Sequence, residues 1–326
     1  MKGAFFLALL LIAQALGPAS ASAASNSFSG RATVADATVA GQHIVLADTG
    51  PLPSGGGALE TSLLEANVPG ILSAQVLHAS TVAQGDNSRA EASVADLALT
   101  VAGNSVSASF VRASAQATCN GSKASVSGSS ELVALTINGS TTTVSGQAGQ
   151  TVPLPGGGSV IINEQATGTS ASGSGGDITV TALHVIVPGV ADVVISRAHA
   201  DISCAGQALC AKDFITGGGF INASGRDTFA VAGGTQSGWG HLQYIDHSTG
   251  MKVKGTGVTA YTVTGTTSRH ISGTAEVNGS PGFTYDVDVA DNGEPGRADT
   301  FRITLSNGYS AGGTLAGGNI QLHTCK

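Results

Sequence analysis

"ASVADLALTVAGNSVSASFVRASAQATCNG", residues 92–121, and "DITVTALHVIVPGVADVVISRAHADISCAG", residues 177–206, decide the fold. Each is a run of Val, Leu, Ile and Ala interleaved with polar residues, a short break at a glycine, a second such run, and a Cys-x-Gly ending. Interleaved apolar and β-branched residues read as half-buried strands, and the glycine break as the turn between them. The pattern occurs twice, and other landmarks repeat in the same order. "FSG" at Phe28 answers "VSG" at Val126, and "PLPSGGG" at Pro51 answers "PLPGGG" at Pro153. A diverged duplication is therefore expected, with halves at about 27–121 and 122–206.

Proline fixes φ and offers no N–H, so it ends a ladder, and the glycines behind it accept positive φ. Pro-Leu-Pro followed by glycines therefore reads as a strand-to-loop corner. A phosphate-cradling loop would need Lys-Ser/Thr and a helix next, and neither follows.

Composition points the same way. Only 11% of residues are charged, and Gly, Ser, Thr, Ala and Val dominate, which disfavours helix and suits strands joined by turns. Ala58 to Ala66 is the one helix candidate outside the N-terminal segment. The formal net charge is -7 with no Lys/Arg cluster, so nucleic acid is not an expected partner. Residues 1–23 read as a cleaved secretory signal: Lys2, an apolar run from Ala4 to Ala13, and Ala21-Ser22-Ala23 as the small-residue cleavage site. The run is too short to span a bilayer, and no transmembrane segment is expected in the mature chain. An extracellular or cell-surface location follows.

Four cysteines in an exported chain suggest disulfides. Three pairings exist. Cys119–Cys204 is favoured because it links equivalent points of the two halves, and Cys210–Cys325 because it ties the C-terminal piece to its own end. Each would close a loop worth about 4–5 kcal/mol in the chain-entropy model.

The piece from 211 to 326 differs in texture. Phe283, Tyr285, Val287 and Val289 alternate with Thr284, Asp286, Asp288 and Ala290; Phe301, Ile303 and Leu305 alternate with Arg302 and Thr304. This period of two buries one face. Asn278-Gly279 and Asn307-Gly308 fit tight hairpins. An antiparallel sandwich or barrel of about eight strands is expected, making the whole chain all-β.

These residues carry a resemblance. "FSGRATVADATVAG", "PLPGGGSVIINEQ" and "ITVTALHVIVPGVADVVISRAHADISC", with the paired cysteines, make residues 27–206 similar to the choice-of-anchor P family of bacterial surface and secreted proteins. "DFITGGGFI", "ADNGEPGRADTFRITLSNGY" and "GGNIQLH" make 211–326 resemble the small module that often follows such a domain. The resemblance implies an extracellular or cell-envelope location and supplies no catalytic residue or ligand. Family members often carry a sorting or anchoring signal. No LPxTG-like motif, terminal apolar helix or lipid-attachable Cys beside the cleavage site is seen here, so any attachment is expected to be noncovalent.

Candidate chemistry is sparse, and no enzyme is expected. "GYSAG", residues 308–312, matches the nucleophile-elbow pattern with Ser310 in place, but no acid follows it, and so Gly- and Ser-rich a chain yields the match by chance. "DVDVADNGEPGRAD", residues 286–299, gathers oxygen ligands around a glycine turn. Asp286, Asp288, Asp291, Asn292, Glu294 and Asp299 are thus a candidate structural Ca²⁺ set, against the plainer reading of a solvated strand and turn. No other cofactor is expected. His241 and His247, six apart on one strand, are a metal-pair candidate without a third ligand. Trp239, set between glycines, is with Tyr244 and Tyr261 a candidate glycan platform, the alternative being a core tryptophan. Two functions follow: a structural protein of the cell surface, or an adhesion-type protein that binds an extracellular glycan or cell-envelope component through the C-terminal module.

Overall fold

A computed structural model describes residues 25–205, 212–223 and 225–324. The signal reading, Cys210 and Cys325 lie outside the described residues. Among the described residues the chain is all-β, with no helix.

The first thirteen strands are β1 (Ser27–Val39), β2 (Gln42–Asp48), β3 (Gly57–Val68), β4 (Leu72–Gln84), β5 (Asn87–Val101), β6 (Asn104–Asn120), β7 (Lys123–Val133), β8 (Thr136–Ile137), β9 (Ser140–Thr141), β10 (Gln150–Pro153), β11 (Ser159–Thr169), β12 (Gly175–Val187) and β13 (Ala191–Ser203). They build two facing sheets. The first runs β10-β11-β12-β13-β1-β2. The second runs β3-β4-β5-β6-β8-β9, with β7 also on β6. The segment read as a possible helix, Ala58 to Ala66, is strand β3. It pairs with β4 along its length, and those ladder bonds override a weak local helical preference.

Chain order and sheet order part company where each half begins. β1 pairs with β13, in the sheet of β10–β12, and β7 pairs with β6, in the sheet of β3–β5. The first sheet thus takes β1 and β2 from the early stretch of chain, and the second takes β7, β8 and β9 from the later one. The two Pro-Leu-Pro phrases are matching corners. Leu52 and Leu154 are both buried in the core between the sheets. Gly56 and Gly158 both have positive φ, and a Cβ at either would overlap a carbonyl oxygen, of Ala83 and of Ile186 respectively. Only glycine fits such a corner.

The core between the sheets is made of small and β-branched residues. Ala90, Ala92, Ala113, Ala115 and Ala117 on β5 and β6 face Val34, Val180, Ile195, Ala198 and Ile202, among others. Gly128 on β7 lets that strand lie on β12, since a Cβ there would collide with Val180 and Ile178. The Cys119–Cys204 bond, S–S 2.07 Å, joins the end of β6 to the residue after β13, and so ties the two sheets together.

Eight further strands are β14 (Phe214–Asn222), β15 (Arg226–Gly234), β16 (Gly240–Asp246), β17 (Met251–Val263), β18 (Ser268–Val277), β19 (Ser280–Ala290), β20 (Thr300–Leu305) and β21 (Ser310–His323). Each pairs antiparallel with the next, and β21 pairs back to β14, so the barrel is closed. Closure removes both sheet edges. The interior is packed with Leu242, Ile271, Val287 and Ile303 and with a stacked Phe229–Phe301 pair at 4.0 Å between ring centres. Thr284, Asp286, Asp288, Arg302 and Thr304 face outward and are exposed. The interior is mainly apolar and the solvent-facing wall polar, the reverse of an outer-membrane barrel.

The barrel covers the outer face of the second sheet, giving three layers: sheet, sheet, barrel. Phe220, Ala230 and Ile245 of the barrel pack on Val76, Ala95 and Phe110 of the sheet. Arg89–Glu294 at 2.6 Å, Arg226–Asp96 at 2.8 Å and Arg297–Glu131 at 2.9 Å cross the junction. The second sheet is therefore covered on both sides, and the middles of β4 and β5 are buried without alternation.

Candidate functional site

The outer face of the first sheet is uncovered and holds a groove of about 600 Å³. Strand register assembles it. Thr33 on β1, Arg197 on β13, Thr181 on β12 and Glu164 on β11 form one row across four strands. Arg31, His199 and Thr179 form the next. In the middle of β11 and β13, Asn163 and Ser196 adopt positive φ of 55° and 54°. Irregular positions of this kind re-aim side chains, and they recur beside functional sites. Thr181 and His184 of β12, three residues apart, line the same groove.

The groove's polar groups hold one another in place. Arg31 donates to both oxygens of Asp48 at 2.8 and 2.6 Å, and Thr33 donates to the same carboxylate at 2.9 Å. The Arg31 hydrogen bonds hold the Asp48 carboxyl below its ordinary range, against the effect of partial burial. Arg197 faces Asp36 at 3.6 Å. His184 sits between two carboxylates, Glu164 on Nδ1 at 2.8 Å and Asp192 on Nε2 at 2.9 Å. His199 pairs through Nδ1 with the Thr179 hydroxyl at 2.9 Å.

Such an array presents oriented donors and acceptors of both kinds, which is the chemistry of polar recognition. It has no assembled hydrolytic triad. The Ser29 hydroxyl lies 3.5 Å from His199 Nε2, at the limit of a hydrogen bond, and the other ring nitrogen meets a threonine where a triad would place a carboxylate. A larger cleft, about 920 Å³, lies between sandwich and barrel beside Cys119 and Thr324. Its lining abuts residues outside the described set, so the groove is the site whose geometry is complete.

The residues singled out from the sequence fall elsewhere. Tyr244 is fully buried inside the barrel, its hydroxyl 2.6 Å from that of Tyr309. Tyr261 is half-buried, its hydroxyl bonded to Asp213. Trp239 is half-buried and meets Phe214 edge-on at 5.1 Å. The three share no exposed surface, so the expected aromatic platform does not form: an inward position on β16 turns Tyr244 into core.

The acidic stretch is split. Asp286 and Asp288 lie on the barrel's outer wall against His270, at 3.3 and 2.7 Å. Asp291 accepts from the backbone N–H of Leu322 and Gly293, and Glu294 binds Arg89. Asn292 donates its backbone N–H to Asp299, which also accepts from Ile320. Burial pushes the Asp299 carboxyl up to about 6 despite those donors. The six do not converge on one point, and several are engaged in fastening the loop to the barrel's end. Among the described residues no group of three or more His, Cys, Asp or Glu side chains is placed to hold a metal ion.

Ser310 opens strand β21 from a hairpin and is exposed, without the strand-turn-helix an elbow requires. His241 and His247 do not meet. His247 lies by Asp96 and Thr228, whereas His241 meets His78 from the other module. Sequence reading missed the groove because its residues come from four strands. The available signal was the polar alternation in "TVTALH" and "SRAHAD".

No family model, curated protein or solved structure matches the chain, so the resemblance drawn from its motifs stands on those motifs alone.

Proposed function

We propose that this chain is an exported, non-catalytic β scaffold whose groove binds a hydroxyl-rich polar ligand, with a glycan as the ligand class. The observation that carries this reading is the groove itself: guanidinium, imidazole, carboxylate and hydroxyl groups, mutually braced on a bulged sheet face. Bidentate guanidinium–carboxylate pairs and paired hydroxyls suit the dense donors and acceptors of a sugar. The site therefore moves from the C-terminal barrel to the N-terminal sandwich. Export rests on the N-terminal segment and on the resemblance to choice-of-anchor P proteins. N-terminal sequencing of the secreted protein is expected to begin just after Ala23.

The exchanged strands β1 and β7 and the paired Pro-Leu-Pro corners support the reading of residues 27–206 as two diverged copies of one half-sandwich. The glycan reading is tested by a glycan array with the mature chain, followed by calorimetry on hits. Arg197→Ala and His184→Ala are expected to weaken binding at least 10-fold. An empty array, or hits that both variants bind as well as the parent does, sinks the reading.

A further inference from the structure

The junction between sandwich and barrel contains two histidines from opposite modules, and the protein leaves three of their four ring nitrogens unused. His78, on β4, is 0% exposed, and neither Nδ1 nor Nε2 has a hydrogen-bond partner. His241, on β16, has its ring centre 5.2 Å from that of His78, with the planes tilted by 44°. Its Nδ1 lies against a Glu60 carboxylate oxygen, and its Nε2 has no partner. Two side-chain oxygens on the same two strands, Gln75 Oε1 and Gln243 Oε1, are likewise buried and unpartnered.

The backbone is adapted to this spot. Val76 takes a φ of 45°, and the β4–β5 register breaks between Gln75 and His78. Gly218 of the barrel lies over the site. A Cβ there would come within ordinary contact of His78 Cδ2, at 3.4 Å, and would push aside the Ser93 hydroxyl at 2.7 Å, so the barrel packs closely on the imidazole.

A buried imidazole nitrogen that makes no hydrogen bond carries its desolvation penalty uncompensated. Such groups in a native structure call for a bound water, an ion or a catalytic role. A neutral imidazole is the form that ligates metal. Two imidazoles on one ion, at a metal–nitrogen distance of about 2.0–2.1 Å and a tetrahedral angle, have ring centres roughly 5 Å apart. A carboxylate behind the second ring nitrogen is the usual support of a metal-bound histidine. Glu60 stands in that place behind His241, as an orienting group rather than a third ligand.

We propose that His78 and His241 form a two-nitrogen site for a divalent transition-metal ion of borderline softness, Zn²⁺ or Cu²⁺, clasping the barrel to the sandwich. The ion would cross-link β4 to β16, and its binding would add to the stability of the docked form. The site is independent of the groove, and neither proposal needs the other.

The test uses the untagged mature chain, refolded with one equivalent of metal so that a buried site can load. Cu²⁺ is expected to give an electron paramagnetic resonance spectrum with two nitrogen ligands. Zn²⁺ is expected to raise Tm, and a strong chelator to reverse the rise. His78→Gln and His241→Gln should each weaken binding at least 10-fold, while His270→Gln, on the barrel's outer wall, should leave it unchanged. Glu60→Gln retains both ligands and should weaken binding about 10-fold, as loss of an orienting carboxylate does elsewhere. That variant carries the test if His78→Gln fails to fold. Absence of binding after refolding with metal, or affinity unchanged in His78→Gln or Glu60→Gln, overturns the proposal.

Discussion

The two sheets of the sandwich turn similar outer faces away from their shared core, yet one is covered and the other open. Both carry positive-φ residues within strands: Asn163 and Ser196 in the first sheet, Val76 and Asp96 in the second. Both present arginines, histidines and carboxylates. The second face also holds Val76, Ala95 and Phe110 together, and these meet Phe220, Ala230 and Ile245 of the barrel. The first face offers Thr33, Thr181 and Arg197 at its centre. A small apolar cluster supplies the core that a stable docked interface needs. Without it, the same kind of polar sheet remains a solvated groove, free to receive a ligand.

The sharpest way to break this comparison is to remove an arginine from each face. Arg112 lies under the barrel, its side chain 5% exposed, bonded to Glu91 at 2.9 Å and facing Glu131 at 3.5 Å. Arg112→Ala leaves Glu91 buried without its closest counter-charge and should destabilise by about 3–5 kcal/mol in urea denaturation. The apolar cluster comes next. Phe220 packs edge-to-face on Phe110 at 5.8 Å, and Phe220→Ala should lose about 3 kcal/mol and split calorimetric unfolding into two transitions. A single unchanged transition would show that the barrel is held by something other than this cluster.

A third experiment separates the barrel's interior from its junction. Asp227 and Asp246 face each other across β15 and β16, both buried. Burial together with Asp246 pushes the Asp227 carboxyl up to about 6, and the nearby Tyr244 hydroxyl offsets this only in part. Asp246 is held at about 2 by hydrogen bonds from Ser248 and Thr249, which outweigh its burial. With a folded pKa above the unfolded 3.8, folded Asp227 binds more protons than the unfolded chain between those values. Stability therefore falls as pH rises from about 4 to about 6 and stays reduced above that. Asp227→Asn should stabilise the protein by about 2 kcal/mol at pH 7 and by nothing measurable at pH 4. A gain of equal size at both pH values would assign the effect to packing. The smallest effect belongs to the open face. The Arg31 side chain is 52% exposed, and Arg31→Ala should cost only about 0–1 kcal/mol despite its bidentate bond to Asp48. A loss matching that of Arg112→Ala would erase the distinction between the two faces.

Much of the fold was legible before any coordinates. The alternation Phe283-Thr-Tyr-Asp-Val-Asp-Val is strand β19, with Tyr285, Val287 and Val289 inside the barrel. The Cys119–Cys204 pairing and the Pro-Leu-Pro corners were legible too, because each depends on local chemistry or matching position. The sites were much less so. Tyr244 and Asp299 look alike in sequence to exposed neighbours, and only barrel closure turns them inward. Ala58 to Ala66 has mild helical preference, and only its partner β4 makes it a strand.

By itself, then, the order of residues determined that this chain makes strands, where they turn, and which of their faces seek burial, since periodicity and turn chemistry act over a few residues. Which strand crosses to which sheet, which face the barrel seals, and that His78 meets His241 across 163 positions of chain were decided only in three dimensions. Contacts of that range arise from the competition of whole surfaces for burial, and no short stretch of sequence contains it.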